Sequence, residues 1–82
     1  MSIGNNAFMN NTSLSSITFS QGVEIIGRSA FLNTALTEIT IGANVKFTGL
    51  SFDNGFEAAY NNGKAAGTYT RPNTDTRVWT KQ

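Results

Sequence analysis

The sequence predicts a mainly-β fold, a short solenoid of about two units with a C-terminal cap made of a short helix and a β-hairpin. Three observations predict it. A pattern recurs every 22–23 residues, each unit contains a strand-like alternation, and the pattern fades after Val45.

Composition sets the outer limits. The chain has 82 residues, so it holds one small domain with a thin core. Its net charge of +1 gives no electrostatic reason for a nucleic-acid or membrane partner. No apolar run is long enough to span a bilayer, and the first residues lack the charged-then-apolar layout of a secretory signal. Cysteine and histidine are both absent, which excludes disulfide bracing, thiolate metal sites and histidine bases. The abundance of Ser, Thr and Asn favours strands and turns over helices.

The repeat comes next. "IGNNAF" at Ile3–Phe8 returns as "IGRSAF" at Ile26–Phe31, an offset of 23. Leu14, Ile17 and Val23 return as Leu36, Ile39 and Val45, an offset of 22, with Phe19 matched by Ile41. One residue is missing between Phe31 and Leu36, and both flanks stay in phase. The deletion therefore belongs in a loop, because a slip inside a strand would turn its apolar side chains outward.

Within each unit, "LSSITF" and "LTEITI" place Ile17 and Phe19, or Ile39 and Ile41, on the inner side of a strand. Ser16, Thr18 and Ser20, and in the next unit Glu38, Thr40 and Gly42, then face solvent. The runs "SQGV" and "GANV" reverse the chain and return Val23 and Val45 to the core. The Ile-Gly pair supplies a second extended edge and a tight turn, and Ala-Phe supplies a small and a large core filler. A single coil of this kind cannot bury its apolar side alone, whereas a stack can.

The stretch "IGNNAFMNNTSLSSITFSQGVEIIGRSAFLNTALTEITIGANV" resembles the BspA-type, or Treponema-type, bacterial leucine-rich repeat. The I-G, A-F, L-x-x-I-x-I and V elements fall in order over about half the chain. Asn11 and Thr34 stand where that family often has Cys, and Ser20 and Gly42 where it often has Pro. The resemblance implies an open, curved, β-rich solenoid on a bacterial surface or secreted, which binds other proteins and has neither active site nor cofactor.

Residues 1–48 are read as two such repeats and the start of a third, with Phe47 near the Ile25 position and Gly49 near Gly27. Residues 49–82 are read as the cap. "FDNG" is turn-forming, and "FEAAY" suits a helical turn or two ended by "NNG" in a left-handed cap. Phe52, Phe56 and Tyr60 recur every four residues, so they are expected on one helix face covering the stack. "GTYTR" and "RVWTK", joined by "PNTD", predict a hairpin whose Tyr69 and Trp79 pack together or onto the cap. The chain opens partway through a unit, at Ile3–Gly4. It is therefore expected to be the C-terminal piece of a longer array, with homodimerisation through the uncapped N-terminal edge as a by-product.

Nothing in the sequence assembles catalytic chemistry. Glu24 and Glu38 have no partner acid at usable spacing, "DNG" lacks the further ligands of a calcium loop, and no glycine-rich loop leads into a helix. Three functional readings stand. In the first, Ser16, Thr18, Glu38 and Thr40 form a face that binds a host or extracellular-matrix protein. In the second, Tyr69, Trp79, Arg71 and Arg77 form a glycan-binding tail on a repeat stalk. In the third, the chain is a purely structural capping fragment. For the tail, a hairpin whose aromatics complete the core outweighs a sugar platform, because a small cap needs large buried residues.

Overall fold

The computed structural model describes residues 2–19 and 22–82. Strand content predominates over helix. The strands are β1 (Ser2–Ile3), β2 (Ser16–Thr18), β3 (Ile25–Ile26), β4 (Glu38–Ile41), β5 (Lys46–Phe47), β6 (Gly67–Thr70) and β7 (Thr80–Lys81), with helix α1 (Phe56–Asn61) between β5 and β6. They form two sheets, one ordered β1-β3-β5 and the other β2-β4-β6-β7.

The sequence offsets reappear as strand register. Ile3 pairs in parallel with Ile26, and Ile26 with Phe47. In the second sheet Ile17 pairs in parallel with Ile39. Between the sheets, the "IGNNAF" and "IGRSAF" loops are copies of each other. Asn6 and Asn10 take φ of 61° and 64°, and their counterparts Ser29 and Asn33 take 61° and 56°. Asparagine tolerates this left-handed conformation well, and Ser29 accepts it at some cost. Gly27 is required by close approach, since a Cβ there would collide with the backbone of Asn5. The missing residue falls in the irregular segment before β4, as the phase argument requires.

The core runs as a column through these loops. The rings of Phe8 and Phe31 stack at 5.1 Å, and those of Phe31 and Phe52 at 4.9 Å. Ile26, Phe31, Leu36 and Ile39 are fully buried. Stacked rings contribute roughly 0.5–1.5 kcal/mol per pair beyond the area they bury.

Two expectations are corrected by this column. Phe52 is not on the helix face, because α1 begins only at Phe56. It is instead the third rung of the phenylalanine stack, in the place that Phe31 holds one unit earlier. The third unit also pairs Phe47 with Ile26 rather than Ile25. Its offset has shortened to 21, which brings Ser51 to the position of Ala30. There the buried Ser51 hydroxyl donates to the Gly27 carbonyl at 2.7 Å, so a polar residue is accommodated in a site that otherwise takes alanine.

The segment after Phe52 closes over the column. Phe56 and Tyr60 of α1 are buried, and Phe56 meets Phe52 at 4.8 Å in an edge-to-face contact. The Tyr60 hydroxyl donates to the Gly42 carbonyl at 2.5 Å and accepts from the Val45 N–H at 3.1 Å. Gly55 precedes the helix with φ of 88°, and a side chain there would run into the Arg77 carbonyl. Gly63, with φ of 106°, follows the helix end. β6 and β7 form the expected hairpin, with Thr70 opposite Thr80. Tyr69 and Trp79 each pack edge-to-face on Phe56, at 5.4 Å, rather than on one another.

Candidate functional site

β6 does more than cover the core: it runs antiparallel beside β4, with Glu38 opposite Thr70 and Thr40 opposite Thr68. Side chains alternate along a strand, so paired residues share a face. Ile17, Ile39 and Tyr69 point inward, and the other parity points outward. The outward face carries two rows. One runs Ser16, Glu38, Thr70 and Thr80 across β2, β4, β6 and β7. The other runs Thr18, Thr40 and Thr68, and ends on Gln82, whose N–H donates to the Thr68 carbonyl at 2.8 Å.

The four face residues expected from sequence are thus brought together. Ser16, Thr18 and Glu38 are exposed and Thr40 is partly so. The face is larger than the repeats alone provide, because Thr68, Thr70 and Thr80 extend it onto the hairpin. Ser20, expected on the same face, lies outside the described residues. Hydrogen bonds tie the rows together across the join. The hydroxyls of Thr40 and Thr68 are 2.9 Å apart, and the Gln82 side-chain amide donates to the Thr70 hydroxyl at 2.7 Å. Glu38 is the only ionisable side chain in the two rows. An open groove of about 460 Å³ adjoins the Thr40 end, lined in part by Phe19, Val23, Ile41 and Ala66.

The residues considered for a glycan are placed differently. Tyr69, Arg71 and Trp79 are 4%, 6% and 6% exposed, so none is displayed for stacking on a sugar ring. The Arg71 guanidinium lies 4.9 Å from the centre of the Trp79 ring. Its Nε donates to the Leu36 carbonyl at 2.8 Å, and its Nη1 to the Thr76 carbonyl at 2.9 Å. Burial, followed by the nearby Arg77, lowers its pKa, yet a guanidinium keeps its charge in proteins. Carbonyl dipoles, the indole face and the charges of Asp53 and Asp75 stabilise it, and among the described residues no carboxylate is hydrogen-bonded to it. The Trp79 indole N–H donates to the Asn54 carbonyl at 3.0 Å. Arg77 is exposed, and its guanidinium donates to the Asp53 carbonyl at 2.7 Å. These contacts hold the hairpin to the rest of the molecule and do not form a platform.

Two of the acidic residues, Asp53 and Glu57, are likewise engaged in structural bonds. The Asp53 carboxylate accepts the Asn33 N–H at 3.1 Å, and the Glu57 carboxylate accepts the Ser51 and Phe52 N–H groups. "DNG" is a turn in which the Asn54 side-chain oxygen accepts the Phe56 N–H at 3.1 Å. Among the described residues no three potential metal ligands cluster, and no helix is long and apolar enough to cross a membrane.

A family model, the BspA type leucine-rich repeat region (6 copies), matches residues 1–57. The chain belongs to the BspA-type leucine-rich repeat family. The match ends at Glu57, so it includes the third phenylalanine rung and the residue that accepts its amides. Neither a curated protein nor a solved structure matches this BspA-type chain.

Proposed function

We propose that this BspA-type chain is a non-enzymatic protein-interaction module of a bacterial surface protein. In this reading it is a short solenoid, with two full units and a shortened third, under a C-terminal cap formed by α1 and the β6–β7 hairpin. It adheres to host or extracellular-matrix proteins through the outward rows of the β2-β4-β6-β7 sheet. The observation that carries the reading is the continuity of that face, to which three separate parts of the chain contribute residues of one kind. Thr18, Thr40, Thr68, Thr70 and Thr80 suit strands on any solvent face, and their alignment across four strands also offers a partner a continuous array of hydroxyls. The rows are uncharged apart from Glu38, so a partner desolvates hydroxyls rather than many charges. The family is typically extracellular or surface-associated, which fits such a partner.

Binding of the purified chain to immobilised matrix proteins, with static light scattering on the same sample, tests this. Saturable binding that is weakened by Thr18→Lys, Glu38→Lys or Thr40→Lys, with the fold intact, is the expected result. Absence of binding to every protein offered, or binding indifferent to all three substitutions, leaves the chain a structural piece.

A further inference from the structure

The sequence contains two Asn-Gly pairs, Asn54-Gly55 and Asn62-Gly63. Such a pair is chemically self-reactive, because glycine has no Cβ to keep its backbone nitrogen away from the preceding side-chain amide. The fold treats the two pairs in opposite ways. Asn54 is buried, its side-chain oxygen accepts the Phe56 N–H at 3.1 Å, and its carbonyl accepts the Trp79 indole N–H at 3.0 Å. Gly55 is pressed against the Arg77 backbone. Neither half of this pair can turn toward the other while the cap is closed. Asn62 and Gly63 lie exposed just beyond α1. Asn62 has φ of −79° and ψ of 69°, the geometry of an inverse γ-turn, closed by the Gly63 N–H donating to the Asn61 carbonyl at 2.9 Å. Among the described residues the Asn62 side chain makes no hydrogen bond, and the space where a Gly63 Cβ would stand is open. Releasing one exposed backbone bond therefore frees this nitrogen to react.

We propose that Asn62 is a site of spontaneous deamidation, and that its isoaspartyl product unties the end of α1 from the turn at Asn44 and Val45. The Gly63 backbone nitrogen, its proton taken by solvent base, attacks Cγ of Asn62. The new N–Cγ bond closes a five-membered succinimide, and the Cγ–Nδ2 bond breaks to release ammonia. Water then opens the ring with no change of oxidation state. Cleavage of the new N–Cγ bond leaves aspartate, and cleavage of the original peptide bond leaves isoaspartate, whose backbone is longer by one methylene. The residue after the pair gives this extra length its effect. The Lys64 N–H donates to the Tyr60 carbonyl at 2.8 Å, its carbonyl accepts the Asn44 N–H at 3.2 Å, and its Nζ donates to the Val45 carbonyl at 3.0 Å. Lys64 holds these three bonds at a φ of 52°, a conformation that a non-glycine residue keeps only when its surroundings impose it. A longer backbone one residue upstream shifts Lys64 out of register with all three partners. The added carboxylate also stands beside the exposed carbonyls of the helix end, where negative charge is unfavourable.

The test is ageing of the full chain at mildly alkaline pH, folded and in guanidinium chloride, followed by brief acidic digestion and peptide mapping by mass spectrometry. In denaturant Asn54 and Asn62 should convert at similar rates. In the folded chain Asn62 should convert faster than Asn54 by about tenfold or more, because Asn54 reacts only from opened states. Asn62→Gln should abolish conversion at that position and leave Asn54 slow. The isoaspartyl fraction, separated by ion exchange, should show amide exchange at Asn44 and Lys64 faster by about tenfold than in the unaged chain, with the Phe31 amide unchanged. Equal conversion of the two pairs in the folded chain, or an Asn62 left intact there while the denatured chain converts, would overturn the site. Unaltered exchange at Asn44 and Lys64 in the isoaspartyl fraction would overturn the untying. None of these readouts involves adhesion by the sheet face.

Discussion

The carboxylate of Glu57 accepts two successive backbone N–H groups, from Ser51 at 2.5 Å and from Phe52 at 2.8 Å. One helix residue thereby satisfies amide donors on the last level of the loop stack and holds α1 over the phenylalanine column. Hydrogen bonds to a charged group contribute roughly 1.5–3 kcal/mol. Glu57→Ala is therefore expected to destabilise the chain by about 2–3 kcal/mol, because two partly buried donors lose their acceptor. Glu57→Gln keeps one acceptor oxygen and should cost about half as much. Urea unfolding midpoints at equal m-value measure both.

The phenylalanine column predicts an unequal pair. Phe31 is fully buried between Phe8 and Phe52, whereas Phe8 is covered on one side only. Phe31→Ala should cost about 3–5 kcal/mol. That approaches the whole stability of a small domain. Phe8→Ala should cost less than half of that. Circular dichroism of the two variants at room temperature should show Phe31→Ala largely unfolded and Phe8→Ala folded.

Arg71 is expected to resist its nearest chemical replacement. Its planar fork reaches from the Leu36 carbonyl to the Thr74 and Thr76 carbonyls while lying over Trp79. A lysine ammonium cannot span those acceptors and stack at once. Arg71→Lys should therefore cost about 2 kcal/mol and loosen residues 72–76. Thermal melts give the first quantity, and exchange of the Arg71 and Thr76 amides gives the second.

Stability should fall in alkali. Burial, and secondarily the neighbouring Tyr60, push the Tyr69 phenol above its ordinary value of 10.0. The folded state therefore holds this proton more tightly than the unfolded chain. Its contribution is complete below the unfolded value and is lost as pH rises through the raised folded value. Ionisation also removes the hydrogen bond that the phenol donates to the Ala65 carbonyl at 2.6 Å. Tyr69→Phe should lower stability by about 1 kcal/mol at neutral pH. Denaturant titrations across the alkaline range should show a shallower decline for this variant than for the parent chain.

Much of this architecture is legible in the residues, and the illegible parts have physical causes. The offset between "IGNNAF" and "IGRSAF" predicts the parallel pairing of β1 with β3, because a stacked fold converts sequence period into register. Phe52 misleads because three aromatics at four-residue spacing satisfy a helix face and a stacked rung equally well. The shift to an offset of 21 decides for the rung, and that becomes visible only in the pairing of Ile26 with Phe47. The extension of the outward face onto Thr68, Thr70 and Thr80 is hidden for another reason. The β4–β6 pairing is antiparallel and lies outside the repeat, so no period announces it. A signal was nonetheless present in the shared outward alternation of "SIT", "EIT" and "TYT". Burial of Tyr69, Arg71 and Trp79 follows from the shortage of core in a chain this small.

The central claim is that repeats and hairpin present one interaction face, and binding of charge-substituted chains to a matrix protein that the parent chain binds tests it most directly. Thr18→Lys lies on β2 and Thr70→Lys on β6, and neither residue is in the core. Both variants should fold as the parent does, and both should weaken binding by about tenfold. Loss with Thr18→Lys and full binding with Thr70→Lys would confine recognition to the repeats. Full binding by both would place it elsewhere on the chain and contradict the account.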